Sequence, residues 1–248
     1  MPNVIEAQLI GRLNHQRPAS RCIAETFLVR RAMSKAHNAI ALASTQPNRT
    51  QQLQDAIRDI IILDKSLDET IVRRWGALGD LDSAQEEQLL RQSTALQEVS
   101  FRNVNTVLRL LLHQCIIQCH EECRKLRDET TDTILGPNTT SIVRSSMTIA
   151  NLLDFVLSTI PLITAPLNQS GSSHENSAPK NAGAYFILWP LHILAGSPYT
   201  SQTQRTAAHK ALILIGTKAG LNRAFEIARG LRLKGSIYSS AMSELPTQ

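Results

Sequence analysis

Residues 101–128 place Val104, Leu108, Leu111, Cys115, Cys119 and Leu126 at the three- and four-residue spacing of one helical face. No stretch of the chain alternates apolar and polar residues over a useful strand length. Every other periodic segment also repeats at helical spacing. The chain therefore reads as all-α, an irregular multi-helix bundle of about eight to ten helices. Its 248 residues suffice for one full hydrophobic core, and a single helical domain over 1–248 is expected.

The remaining helices follow from caps and breakers. A short helix is expected over 3–14, ending near Arg17-Pro18, and a long one over 20–44, stopped by Gln46-Pro47-Asn48. Thr50 is positioned to cap a helix carrying Leu53, Ile57, Ile60 and Ile61, and Asp64 to open another carrying Leu67, Ile71 and Trp75. Gly76 and Gly79 end it. Ser83 with Glu86 forms a capping box for a helix to about Gln97, and Ser201 with Gln204 forms a second for a helix to about Lys218. A helix over 141–160 ends at Pro161. Residues 166–181, rich in Ser, Asn, Gly and Pro, read as a mobile loop. The segment 183–196 is apolar on nearly every side, which predicts a central, buried helix kinked by Pro190. Gly220 separates a last helix over 221–233.

Composition narrows the partners. Hydrophobic residues make up 42% of the chain and aromatic ones only 4%, so the core is aliphatic. The net charge of +5 is concentrated between Ser201 and Tyr238, where seven basic residues face Glu226 alone. They are dispersed rather than blocked, as on a solvated helix face. The first residues do not form a secretory signal. The apolar run Ala184–Ala195 is too short to span a bilayer, so no membrane partner is expected. Four cysteines, three on one helix, do not make a disulfide framework and point to a nuclear or cytoplasmic location.

No segment carries a phosphate-binding glycine loop, an HExxH zinc motif, a GxSxG elbow or an acidic metal cluster. Cys115, Cys119 and Cys123 lie four apart on one helix. That spreads them along the axis instead of converging them on a metal ion, so buried thiols are expected, with no metal and no cofactor. The polar groups suited to a ligand are few. Tyr185, Trp189 and His192 share a helical face, and Arg109 and His113 form a second pair four residues apart. An apolar pocket with a few polar handles is the usual form of a small-molecule site, so these five are the candidate ligand-binding residues. His192 is expected to be buried and to need a hydrogen-bond partner. No catalytic residue is assigned.

Three stretches carry a family likeness: RNVNTVLRLLLHQCIIQC (102–119), SIVRSSMTIANLLDFVLSTIP (141–161) and the segment from Gly183 to Ala228. Together they resemble the C-terminal helical regulatory domain of fungal zinc-cluster transcription factors. The most telling residues are Leu188-Trp189-Pro190-Leu191, Ile215-Gly216, Gly220-Leu221 and Ala224. Asn105 and Arg109 fall where that family has an asparagine–arginine helix, and Leu63-Asp64 with Trp75 fit more loosely. The likeness implies a helical module that senses a small molecule or meets a partner protein. The family's DNA contact comes from a six-cysteine zinc cluster, which this chain lacks, so no sequence-specific DNA binding by that route is expected.

Two functions fit these observations. The first is a regulator of a fungal specialised metabolic pathway, acting through an apolar small molecule, a partner protein or self-association. The alternative is a metal-independent enzyme of secondary metabolism on the same scaffold, such as a Diels–Alder-type cyclase or an isomerase of an apolar polyketide or terpenoid. Such an enzyme would hold its substrate in a reactive shape and polarise a carbonyl with Arg109, His113, Tyr185 or His192. A gene truncated upstream of Met1 is a third expectation.

Overall fold

The computed structural model describes residues 18–41, 48–75, 93–128, 138–168 and 177–230. They form α1 (Pro18–Ala41), α2 (Arg49–Trp75), α3 (Ser93–Asp128), α4 (Asn138–Ser158), α5 (Ile160–Asn168), α6 (Ser177–Gly196) and α7 (Gln202–Ala219). A further helical run covers 222–230. No strand occurs among the described residues. The class is all-α. The expected helix at 3–14 and the capping box at Ser83 and Glu86 lie outside the described residues.

Several expected boundaries shift. The helix expected to be capped at Thr50 starts at Arg49, so the capping position falls at Asn48, whose carbonyl accepts from the Gln52 N–H. It continues without a break through Asp64 to Trp75. The break expected between about Gln97 and 101 is absent, since α3 runs continuously from Ser93. Pro161 starts a helix rather than ending one. After Ser158 the chain turns at Thr159, whose carbonyl accepts from the Ile163 N–H, and Pro161 sits in the first turn of α5. Proline is tolerated there because its missing N–H has no helical partner to lose. Both ends of the expected loop at 166–181 are helical, since α5 reaches Asn168 and α6 begins at Ser177; its middle lies outside the described residues.

The chain divides into two compact units, Met1–Leu81 with Val104–Leu152 and Asp82–Asn103 with Leu153–Gln248. In the first unit α1 packs along α2. Its core joins Val29, Ala36 and Ala39 of α1, Leu53, Ala56, Ile57, Ile60 and Leu67 of α2, and Leu108, Leu112, Cys115, Ile116, Cys119 and Cys123 of α3. From Val107 to Cys123, α3 is buried on almost every side. It is the central helix that the sequence pattern assigned to 183–196. Several buried polar residues of α3 meet a partner from a neighbouring helix, although Thr106 Oγ1 and Asn105 Oδ1 are buried without a hydrogen bond. Asn105 Nδ2 donates to Glu25 Oε2 of α1 at 3.0 Å, and Arg49 Nη2 of α2 donates to Glu122 Oε2 at 2.9 Å.

In the second unit α5, α6 and α7 pack on one another. The capping box is present as expected. Gln204 N–H donates to Ser201 Oγ, and the Ser201 N–H donates to Gln204 Oε1. Gly220 ends α7 with φ +68°, a left-handed conformation that L side chains rarely adopt. The chain then returns so that the Phe225 ring lies over Gly216. A Cβ built at Gly216 would stand 2.8 Å from the ring tip. Ala224 and Ala228 are buried in the same corner. The Ile215-Gly216 and Gly220-Leu221 motifs are thus the hardware of a tight helix–helix corner.

The stretch Thr140–Thr164 has a mean hydropathy of 1.5 over its most apolar window, and by length and composition it matches a membrane span. It replaces Ala184–Ala195 as the longest apolar segment. Two helices meeting at Thr159 make up this stretch, and Ile149, Leu152, Leu153, Val156 and Ile163 are buried within the protein. A core helix has the same composition, so the match is weak evidence for a membrane.

Candidate functional site

The five candidate residues fall in different compact units. Arg109 and His113 belong to the first unit, and Tyr185, Trp189 and His192 to the second.

Arg109 lies one turn before His113 on α3, facing α2. Its Nε donates to Asp64 Oδ1 at 2.8 Å and its Nη2 to Asp64 Oδ2 at 3.3 Å, while Nη1 pairs with Asp68. The guanidinium is therefore held in a two-pronged fork on one carboxylate with a second carboxylate beside it. Its side chain is 8% exposed. Asp64 and Asp68 lie four apart on α2, so both reach the same face. Burial pushes the Asp64 carboxyl up, but contacts with His113 and Arg109 outweigh it and hold the group below its ordinary 3.8. Of these acids, only Asp64 stood out in the sequence. The signal that could have found the pair was an Asp-x-x-x-Asp spacing opposite an Arg-x-x-x-His spacing.

His113 completes this network. Its Nε2 is 3.3 Å from Asp64 Oδ2, and its Nδ1 is 3.2 Å from Ser145 Oγ on α4. The Nε2 contact has the distance of a charge contact but not the alignment of a hydrogen bond. Ser145, His113 and Asp64 thus stand in the order of a nucleophile, a base and its orienting acid. Two features argue against that chemistry. Ser145 is buried in the interior of α4, where neighbouring backbone N–H groups are spent on helical bonds and offer no oxyanion hole. Asp64 has both oxygens engaged by Arg109. The arrangement reads as a buried link between α2, α3 and α4. His120 repeats it lower on α3, with Nε2 2.9 Å from Ser141 Oγ of α4.

The three cysteines are buried as expected. Burial raises the thiol of Cys115 to about 11. Cys119 rises to about 12, through burial and the neighbouring thiols and Glu122. These groups are protonated and poorly nucleophilic near neutrality. Cys115 Sγ approaches His37 Nε2 at 3.8 Å. Among the described residues no three His, Cys, Asp or Glu side chains converge as metal ligands.

The face of α6 departs from expectation. Ala184, Ile187, Leu188, Leu191 and Leu194 are buried, but Tyr185 is 61% exposed, Phe186 41% and Trp189 36%. His192 is exposed as well, so it is not the buried core histidine expected. The segment looked uniformly apolar because its outward face carries aromatic rings in place of charges. Its inward stripe follows the usual helical spacing. The exposed rings touch one another. Phe186 lies 6.1 Å from Tyr185 in an edge-on pair and 6.4 Å from Phe101 of α3.

The second unit also has buried polar contacts of its own. Asn103 Nδ2 donates to Thr159 Oγ1 at 2.8 Å, and the Arg102 guanidinium stacks over the Phe155 ring at 4.6 Å. Both fix the start of α3 against the α4–α5 turn. Comparison with protein-family models, with characterised proteins and with solved structures finds no match.

Proposed function

We propose that the chain is a helical regulatory module, similar to the regulatory domain of fungal zinc-cluster factors but working without a DNA-binding cluster of its own. It acts in the nucleus or cytoplasm on a specialised metabolic pathway, through contact with a partner protein or an apolar small molecule. One observation carries this reading. Arg109 with Asp64 and Arg49 with Glu122 are tied up in largely buried ion pairs between helices of the first unit, while the aromatic residues of α6 are displayed to solvent. Buried and paired groups hold a scaffold together, whereas displayed Tyr and Trp side chains are the material of contact surfaces.

The cyclase alternative is less well supported. It needs one or more of Arg109, His113, Tyr185 and His192 free to polarise a substrate carbonyl in an enclosed apolar site. Arg109 is already forked onto Asp64, and Tyr185 and His192 project from an exposed face of the other unit. Deleting the gene and measuring transcripts of its neighbouring genes tests the proposal. Altered transcripts are expected. Unchanged transcripts together with a changed metabolite profile would favour the enzyme and overturn the regulator.

A further inference from the structure

Helices α1 and α3 of the first unit run side by side in the same direction. Glu25 of α1 meets Asn105 of α3, and further along both helices His37 meets Cys115. The second contact joins an imidazole to a thiol, with His37 Nε2 3.8 Å from Cys115 Sγ. Their surroundings differ. Cys115 is buried in the aliphatic core, whereas His37 is exposed on α1. A surface histidine thus turns one ring nitrogen inward onto a core sulfur. Neither group needs the other. A buried thiol packs as a small hydrophobe, and an exposed imidazole has water to bond to.

More sulfur lies along the same seam. Cys119 follows one turn on in α3 and is fully buried, and Met33 precedes His37 by one turn in α1 and packs against the same core. Side chains four apart on a helix have Cβ atoms about 5–6 Å apart, so a thioether and a second thiol bracket the pair. No carboxylate is paired with His37 or Cys115 among the described residues. An ion bonded to both atoms would hold them about 3.6 Å apart at a tetrahedral angle and about 4.3 Å apart in line. The observed separation falls between these limits.

The donor atoms select the ion. Thiolate and thioether sulfur favour copper(I), and imidazole accepts copper as well. A structural zinc site needs four ligands, and among the described residues no three His, Cys, Asp or Glu side chains converge. We propose that His37 Nε2 and Cys115 Sγ bind a copper(I) ion that bridges α1 and α3. The exposed imidazole receives the ion from solvent. The ion takes the place of the Cys115 thiol proton, which leaves to water, and His37 offers the Nε2 lone pair while Nδ1 carries its proton. Copper stays in the +1 state, so nothing is oxidised or reduced. The bond ties α1 to α3 and therefore stabilises the folded chain. This site is independent of the regulator reading.

Titrating the reduced full chain with copper(I) held in excess bicinchoninate, without oxygen, tests it. The chain should withdraw one ion from the chelator, and its thermal unfolding midpoint should rise. His37→Ala, at an exposed position, should weaken binding about tenfold or more and remove the rise. Cys115→Ser should do the same. Cys22→Ser, which alters a thiol outside the site, should leave both unchanged. X-ray absorption at the copper edge should show sulfur and imidazole together. Circular dichroism before titration verifies each fold; should Cys115→Ser fail to fold, His37→Ala and the absorption spectrum decide. Failure to withdraw copper, binding indifferent to His37→Ala, equal loss in Cys22→Ser or a sulfur-only spectrum overturns the proposal. Zinc(II) raising the midpoint as much as copper(I) overturns it too.

Discussion

Replacing Arg109 with Met asks whether this residue is scaffold or site. Met keeps most of the aliphatic stem, so the change removes chiefly the charge and its fork. The variant leaves Asp64, whose side chain is 15% exposed, beside His113 with no guanidinium. Removing one partner of a buried ion pair costs about 3–5 kcal/mol, because the other charge stays buried and uncompensated. Asp68 adds little, since its side chain is 44% exposed and water screens it. A loss near the lower limit, about 3 kcal/mol, is therefore expected. With a urea slope of about 3 kcal/mol per molar, the midpoint falls by about 1 M. Circular dichroism at the helical band during urea titration measures it. Arg109→Met/Asp64→Leu removes both charges and should recover at least half of the loss, since apolar replacement of a whole buried pair is often close to neutral. A single variant whose midpoint stays within about 0.2 M of the parent, or a double variant no better than the single, would refute the structural reading of Arg109.

Four further outcomes follow from the geometry. Gly216→Ala should lower the melting temperature by the equivalent of about 1 kcal/mol as the Phe225 ring is displaced, and in a Phe225→Leu background it should become neutral or stabilising. Ser201→Ala removes the cap of α7 and should cost about 1 kcal/mol in the same assay. Asp64 has a folded pKa below its unfolded value, so its contribution is complete above the ordinary 3.8 and is lost as pH falls through the lower folded value; Asp64→Asn should flatten the acid limb of a stability–pH curve. Cys115 and Cys119 have raised folded values, so the unfolded chain loses their protons first, and stability should decline as pH rises from the ordinary 9.0 towards 11–12. In a thiol-labelling assay near neutrality, both should react only as fast as the chain opens.

The sequence displayed the fold class because helical periodicity, caps and glycines are local. Ser201 with Gln204 and Gly220 marked both ends of α7 within a residue, since each acts through its own backbone neighbours. The long apolar stripe at 101–128 was visible for the same reason. What could not be read locally was which helix is central. Residues 183–196 look more buried than 103–120 by composition. Yet Asn105, Arg109 and His113 are inside, because Glu25, Asp64, Asp68 and Ser145, far away in sequence, pair with them. Tyr185 and Trp189 are outside for the converse reason, as Ile187, Leu188 and Leu191 already fill the inward stripe. His192 was misplaced by the same error. The five candidate site residues followed helical spacing correctly but divided between two units, a division no local pattern encodes.

Buried polar pairs link the helices of the first unit, and the proposed function gives the exposed aromatic face of α6 to a partner. The most direct test returns the chain to a strain lacking its gene, carrying Tyr185→Ala/Trp189→Ala, and measures transcripts of the neighbouring genes alongside the amount of folded protein. The account predicts folded protein at normal abundance and the transcript levels of the deletion strain. Transcript levels equal to those restored by the unaltered chain would contradict it, because the exposed face of α6 would then have no part in what the protein does.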